Sequence, residues 1–172
     1  MNIGLTHVYT GNGKGKTTAM LGLAMRAVGA GMRVYIGQFL KDKAYSEMLA
    51  VKDMVPAIVS EQYGEGFVIG GGAKQSDLEN AESGMKKATN AMLSGDFDMV
   101  ALDEVLVAVH LGLISIDALL EFVTKKPPTV ELILTGRYAS AQVVAIADLV
   151  TDMVEVKHYY NAGVPARKGI EL

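Results

Sequence analysis

The ten residues Tyr9-Thr10-Gly11-Asn12-Gly13-Lys14-Gly15-Lys16-Thr17-Thr18 constrain the fold of this chain more than any other stretch. They follow a short apolar run and open a long apolar one. Gly11, Gly13 and Gly15 carry no Cβ, so successive backbone N–H groups can turn toward one point. Gly15-Lys16-Thr17 then starts a helix, whose N-terminus carries roughly +0.5 of an elementary charge. Strand, glycine-rich turn and helix N-terminus in that order make a cradle for a polyphosphate. Within it Lys16 reaches the phosphates and the Thr17 hydroxyl is a Mg²⁺ ligand. The pattern G-x-x-x-x-G-K-[ST] asks for glycine where Thr10 stands, so the match is one glycine short. The competing reading is a glycine-rich turn with no ligand. Against it, the strand, loop and helix signals all fall where phosphate binding needs them.

The remaining bulk properties narrow the class. A chain of 172 residues, half of them apolar and a fifth charged, forms one domain, 1–172, with a sizeable core. A net charge of −3 argues against broad nucleic-acid binding. There is no cysteine, so disulfides and Cys-based metal sites are excluded, which fits a reducing cytoplasm. No apolar run reaches membrane-spanning length, and the start of the chain lacks the basic and apolar regions of a signal peptide. A cytoplasmic protein without membrane or nucleic-acid partners is therefore expected. Ten methionines without a tryptophan suggest a pliable core.

Along the chain, strands and helices alternate. Ile3 to Tyr9 reads as a strand. The helix from Lys16 to Val28 is apolar nearly all round, which predicts deep burial. Its one interior charge, Arg26, is either a snorkelling surface arginine or a charge near the nucleotide. Met32 to Phe39 is a strand ending in Gly37-Gln38-Phe39-Leu40, followed by the polar cluster Lys41-Asp42-Lys43. Tyr45 to Met54 reads as helix and Ala57 to Ser60 as a short strand. The segment from Tyr63 to Gly72 holds five glycines and reads as a loop, either a lid or a plain connector. Ser76-Asp77-Leu78-Glu79 reads as a capping box before a helix with Leu78, Ala81, Met85, Ala88 and Met92 on one face. Gly95 ends that helix. Strands are expected at Phe97–Leu102, Val130–Leu134 and Val150–Val156, and helices at Ile116–Val123 and Ser140–Ala147. Alternation of this kind implies right-handed crossovers and an α/β fold with a mostly parallel sheet. Such sheets bind ligands at the carboxyl ends of their strands. The phosphate loop, Gln38, Asp103-Glu104 and Thr135-Gly136-Arg137 all fall there.

The chemistry-bearing residues follow from that edge. Asp103 and Glu104 end the apolar run Met99 to Leu102. A carboxylate there holds Mg²⁺ opposite Thr17, and the next carboxylate is a second metal partner or polarises a water; the alternative is helix capping. Arg137 either stabilises a phosphate or departing anion, or makes a structural ion pair. Lys14 is an extra cation in the loop, holding more negative charge or simply solvated. His7 reads as structural and His110 as a helix end, while Lys157-His158 can approach the site.

These motifs together resemble the P-loop type of ATP:corrinoid adenosyltransferase. The resemblance rests on Thr10 to Thr18, Arg26-Ala27-Val28-Gly29, Leu102-Asp103-Glu104 and Leu134-Thr135-Gly136-Arg137. It also rests on the tail: Val156-Lys157-His158, Ala162-Gly163-Val164 and Lys168-Gly169-Ile170-Glu171. It implies a P-loop NTPase-like (RecA-like) sheet with helices on both faces. It implies transfer of the 5′-deoxyadenosyl group of ATP to the cobalt(I) of a reduced corrinoid, with tripolyphosphate released. Catalytic roles then fall to Lys16, Glu104 and Arg137. Nucleotide and corrinoid contacts fall to Thr10, Gly11, Asn12, Gly13, Lys14, Gly15, Lys16, Thr17, Thr18, Arg26 and Phe67, and Mg²⁺ to Thr17, Asp103 and Glu104. A homodimer and an electron-donating flavoprotein are implied partners. Two departures stand out: Ile69 where family members carry tryptophan, and a Gly70-Gly71-Gly72-Ala73-Lys74 segment unlike the usual polar stretch. Better-known members also have a longer segment before the first strand. The rival functions are a P-loop ATPase or kinase using Asp103-Glu104, and a non-catalytic ATP-binding module.

Overall fold

The computed structural model describes residues 3–41, 46–64 and 73–171. Six strands form one parallel sheet in the order β3-β2-β4-β5-β1-β6. They are β1 (Thr6–Thr10), β2 (Val34–Phe39), β3 (Ile58–Tyr63), β4 (Met99–Asp103), β5 (Glu131–Thr135) and β6 (Leu149–Asp152). The helices are α1 (Lys16–Gly29), α2 (Ser46–Met54), α3 (Gln75–Leu93), α4 (Val105–His110), α5 (Ile116–Thr124) and α6 (Ala141–Ile146). A short 3₁₀ turn, Tyr159–Ala162, lies in the tail.

The period-two alternation of the strands assigns each residue to one of two cores. Val34, Ile36, Met99, Ala101 and Ile133 meet α1 and α2 on one face. Tyr35, Val100, Leu102, Leu132 and Leu134 meet α3, α4, α5 and α6 on the other. Both faces are covered, which is why these strands read as continuous apolar runs. Because every pairing is parallel, all carboxyl ends lie along one edge of the sheet.

Several expected boundaries shift. The first strand begins at Thr6, not Ile3, and β3 continues through Tyr63, which the glycine count had placed in a loop. The last strand stops at Asp152, and Val154 and Val156 are exposed beyond it. The cap lies two residues before the expected Ser76: Lys74 caps helix α3, and the Asp77 carboxylate accepts from the Lys74 N–H at 2.9 Å. Helix α4 was expected only through its ends, His110 as a helix end and the acidic pair as a possible cap; its Val-rich body looks like strand, but packing of Leu106 and Ala108 into the core overrides propensity. Helix α1 is buried on one face only, through Lys16, Met20, Ala24 and Ala27. Leu23 and Val28 are half-buried against the same core, while Leu21 and Met25 line a cavity described below. Phe67, Ile69 and the Gly70–Gly72 segment, like Asp42 and Lys43, lie outside the described residues.

Tyr63 shows how close this packing is. Its ring lies edge-on to Phe39, with centroids 5.1 Å apart, in a slot between Gly37 and Gly84. A Cβ on Gly84 would stand 2.5 Å from the ring. Gly84→Ala is therefore expected to cost about 1–3 kcal/mol through overpacking. A chain of this size loses about 2–4 °C of melting temperature per kcal/mol. An unchanged thermal melt would show that Tyr63 can move aside.

Candidate active site

The phosphate loop leaves β1 and enters α1. Its turn is made by Gly11, at φ 95°, and Gly15, at φ 122°. A Cβ on Gly11 would meet Asp152 Oδ1 at 2.2 Å, so this position admits glycine on two grounds. Thr10 is still extended, as the last residue of β1, and its Oγ1 accepts from the Ala139 N–H at 3.4 Å. A side chain is tolerated there because the left-handed turn comes one residue later.

Lys16 is only 7% exposed. Its ammonium donates to the carbonyls of Gly11, at 2.6 Å, and Gly13, at 2.8 Å. Burial lowers its pKa, while Glu104 pulls the other way. The next residue, Thr17, donates from Oγ1 to Asp103 Oδ1 at 2.9 Å. Asp103 is fully buried at the end of β4. Its Oδ1 also accepts from Thr135 Oγ1 at 2.7 Å, and its Oδ2 accepts from Gln38 Nε2 at 3.1 Å. The Lys41 ammonium stands 3.7 Å from Oδ2. Four groups thus converge on a single carboxylate at the end of β4: Gln38 and Lys41 from β2 and the residues after it, Thr135 from β5, and Thr17 from the helix that follows β1.

Backbone strain gathers at the same edge. Among the described residues, Leu40, Glu104 and Tyr138 are the non-glycine residues with positive φ, at 58°, 59° and 66°, and each follows a strand of the inner sheet. Such conformations persist where surrounding structure holds them, often at functional sites. At Glu104 the turn places the residue in the lining of the central cavity.

That cavity has a volume of about 850 Å³, within the range of small-molecule sites. Lys16, Thr17, Lys41, Glu104 and Arg137 contribute its charged and polar floor. Leu21, Gly22 and Met25 of α1 form an apolar flank, which gives a role to the exposed Met25 and to Leu21 beyond its packing on the core. Gly169, Ile170, Glu171 and His158 of the tail form another. Arg137 enters this lining, and no salt bridge among the described residues engages it. Arg26 is exposed on α1 and does not line the cavity, and Thr10 and Gly11 lie behind it. His7 is structural, bonded to Glu131 at 2.7 Å.

Glu104 offers a pH test. Burial, and then the Asp103 carboxylate, push its carboxyl pKa up. Its ionised form is therefore less favourable in the folded protein than in the unfolded one. That cost is absent below the unfolded pKa of about 4.3 and is complete once pH passes the folded value. Glu104→Gln removes it. The variant is expected to melt above wild type at pH 7, with the two curves converging toward pH 4. A lower melting temperature at pH 7 would show that the charge is stabilised where it stands.

Residues 2–172 match the family model described as ATP:corrinoid adenosyltransferase BtuR/CobO/CobP. The chain belongs to this family. A corrinoid adenosyltransferase of Pseudomonas aeruginosa is 36% identical over 170 residues, covering 98% of this chain and 84% of that protein. One from Escherichia coli K12 is 32% identical over 174 residues, covering 98% and 85%. Among solved structures, the KaiC-like protein PH0186 of Pyrococcus horikoshii OT3 superposes with a TM-score of 0.56 at 19% identity. It covers 87% of this chain and 73% of that one, and it shows the fold alone. The family's activity is ATP-dependent adenosylation of a corrinoid, and the parallel P-loop sheet described above is the scaffold on which this adenosyltransferase family member builds its cavity.

Sequence reading caught part of the machinery. Gln38 and Thr135 were legible at the sheet's carboxyl edge and Lys41 in a polar cluster after β2, each with a trace of signal, but their meeting on Asp103 was not. Leu21 and Met25 carried none, because an apolar residue on an apolar helix reads as core. Nor was the link between Lys14 and the tail visible.

Proposed function

We propose that this protein transfers the 5′-deoxyadenosyl group of ATP to the cobalt(I) of a reduced corrinoid and releases tripolyphosphate. The observation that carries the reading is the meeting of Lys16, Thr17, Asp103, Glu104 and Arg137 at one end of a cavity whose flank is apolar. The bond to be broken joins the 5′ carbon to its oxygen. Cobalt(I) supplies the electron pair of the new bond, and the old pair leaves with the triphosphate. The nucleophile belongs to the substrate, so the protein's task is to hold a departing polyanion and to keep water away. Loop N–H groups, Lys16 and Arg137 are suited to the first task. Leu21 and Met25 are suited to the second.

Thr17 Oγ1 and Asp103 Oδ1, 2.9 Å apart, are hard oxygen donors of the kind Mg²⁺ takes beside a polyphosphate. Held there with Glu104 nearby, the ion would offset the leaving group's charge. The working assembly in this reading is a cytoplasmic homodimer, with a flavoprotein supplying the electron that makes cobalt(I).

Incubation with ATP, Mg²⁺ and a chemically reduced corrinoid should give an alkyl-cobalt spectrum and tripolyphosphate in equal amounts. ADP and orthophosphate as the only products would sink the reading. One observation favours a second reading. Glu104 faces the cavity with a raised pKa, as a general base for water or a hydroxyl would. An ATPase or kinase of that kind releases or transfers phosphate without any corrinoid.

A further inference from the structure

Lys14 was expected to be an additional phosphate ligand, yet its ammonium points elsewhere. It donates to Tyr159 Oη at 3.0 Å, to the Ile170 carbonyl at 2.9 Å and to Glu171 Oε1 at 2.7 Å. An ammonium has three N–H donors, and here all three are used. The partners come from the far end of the chain.

Glu171 is the hub of this arrangement. Besides Lys14, it accepts from the Tyr159 hydroxyl, from the Arg167 N–H at 2.8 Å and from the Arg167 guanidinium at 3.2 Å. The Arg167 guanidinium also lies 4.9 Å from the centre of the Tyr159 ring. Only 16% of the Glu171 side chain is exposed. An isolated surface ion pair contributes little, but a carboxylate shared by two cations, a phenol and a backbone N–H is a network. Arg167, then Lys14, then Tyr159 hold its carboxyl well below the usual carboxylate range.

We propose that Lys14, Tyr159, Arg167 and Glu171 form a clasp that fixes the C-terminal tail as a wall of the nucleotide cavity, and that Lys14 is a positioning residue for that wall, not a phosphate ligand. This rests on reading the cavity as the ATP site. The gripped segment, Gly169 to Glu171, lines the same cavity as Lys16 and Thr17. The loop N–H groups and Lys16 take the phosphates. The tail is left to confine the nucleoside end and to exclude water. Glu171 would otherwise be an unfavourable neighbour, since a bare carboxylate beside a triphosphate repels it. Simple electrostatics and the clasp therefore give opposite signs for its removal.

The test uses full-length Glu171→Gln, Lys14→Met and the double variant. Binding of Mg·ATP and of inorganic tripolyphosphate is measured by calorimetry, and trypsin cleavage after Arg167 and Lys168 is timed. Each single substitution should weaken ATP binding about tenfold and speed tail cleavage about tenfold. The double variant should be no worse than the worse single one, because both break one device. Tripolyphosphate, which has no nucleoside, should bind within twofold of wild type throughout. Tighter ATP binding by Glu171→Gln would overturn the clasp. So would a loss of tripolyphosphate binding in Lys14→Met equal to its loss of ATP binding, which would make Lys14 a phosphate ligand after all. Wild-type protein that binds no ATP would overturn the site assignment and the clasp's role in it, while the cleavage rates would still report whether the clasp itself exists.

Discussion

Lys16→Ala is expected to weaken ATP binding by at least about a hundredfold. The Lys16 ammonium stands at the bottom of the cavity, bonded only to carbonyls of its own loop at 2.6 and 2.8 Å. In the proposed reading those bonds hold the side chain ready and are exchanged for phosphate oxygens when the nucleotide enters. A hydrogen bond to a charged group is worth about 1.5–3 kcal/mol. Two such bonds correspond to a factor of about a hundred or more in affinity, since 1.4 kcal/mol is tenfold. Arg137 lines the same cavity but is exposed, whereas Lys16 is buried, so water screens the Arg137 charge more and it replaces Lys16 only in part. Titration with a fluorescent ATP analogue measures the effect directly. Wild-type affinity in this variant would remove Lys16 from the phosphate site. Transferase, ATPase and non-catalytic readings all require the loss, so the result tests the site and leaves the reaction to the product analysis above.

Asp103 should show a different division between stability and activity. Four groups converge on its carboxylate, from Thr17, Thr135, Gln38 and Lys41, and none of it is exposed. Asp103→Ala strands those partners. Removing one member of a buried charged network costs about 3–5 kcal/mol. For a chain of this length that is a fall of roughly 10 °C in melting temperature. Asp103→Asn keeps an acceptor oxygen for the two threonines and should fold with a smaller loss, but its neutral amide is a poor Mg²⁺ ligand. Transfer activity is expected to drop at least about a hundredfold in both variants, since electrostatic groups at a leaving anion are worth that much. Thermal melts alongside Mg²⁺ titrations separate the two effects. If Asp103→Asn kept wild-type activity and Mg²⁺ dependence, the carboxylate would be structural only.

Much of this was legible before any coordinates. The loop from Gly11 to Thr17 was, because its chemistry is local: glycine spacing, one lysine and one hydroxyl at the start of a helix. Asp103 was, because a carboxylate at the end of a fully apolar run has few other uses. Other features were not. Helix α1 looked like a buried core helix, and only the sheet's position shows that Leu21 and Met25 look into a cavity. Helix α4 was legible only at its ends, because its Val-rich body has strand propensity that tertiary packing overrules. The hydrogen bonds of Lys14 were hidden by distance: a cation inside a phosphate loop suggests a phosphate, and the partners it has in the structure lie 145 to 157 residues away.

What the sequence by itself determined was the kind of ligand end the protein holds and the class of sheet that holds it. Both depend on short-range facts, namely which residues lack a Cβ, which carry charge, and how apolar runs alternate. Only the tertiary structure decided how the site is walled. It brought Gln38, Lys41 and Thr135 to Asp103, set Glu104 in a left-handed turn facing the cavity, and laid the tail across the loop that begins the chain's first crossover. Such contacts join segments far apart in the chain, so no local pattern encodes them. The phosphate loop is therefore a cradle by its own sequence, and one side of a cleft only because Gly169 to Glu171 come back to form another.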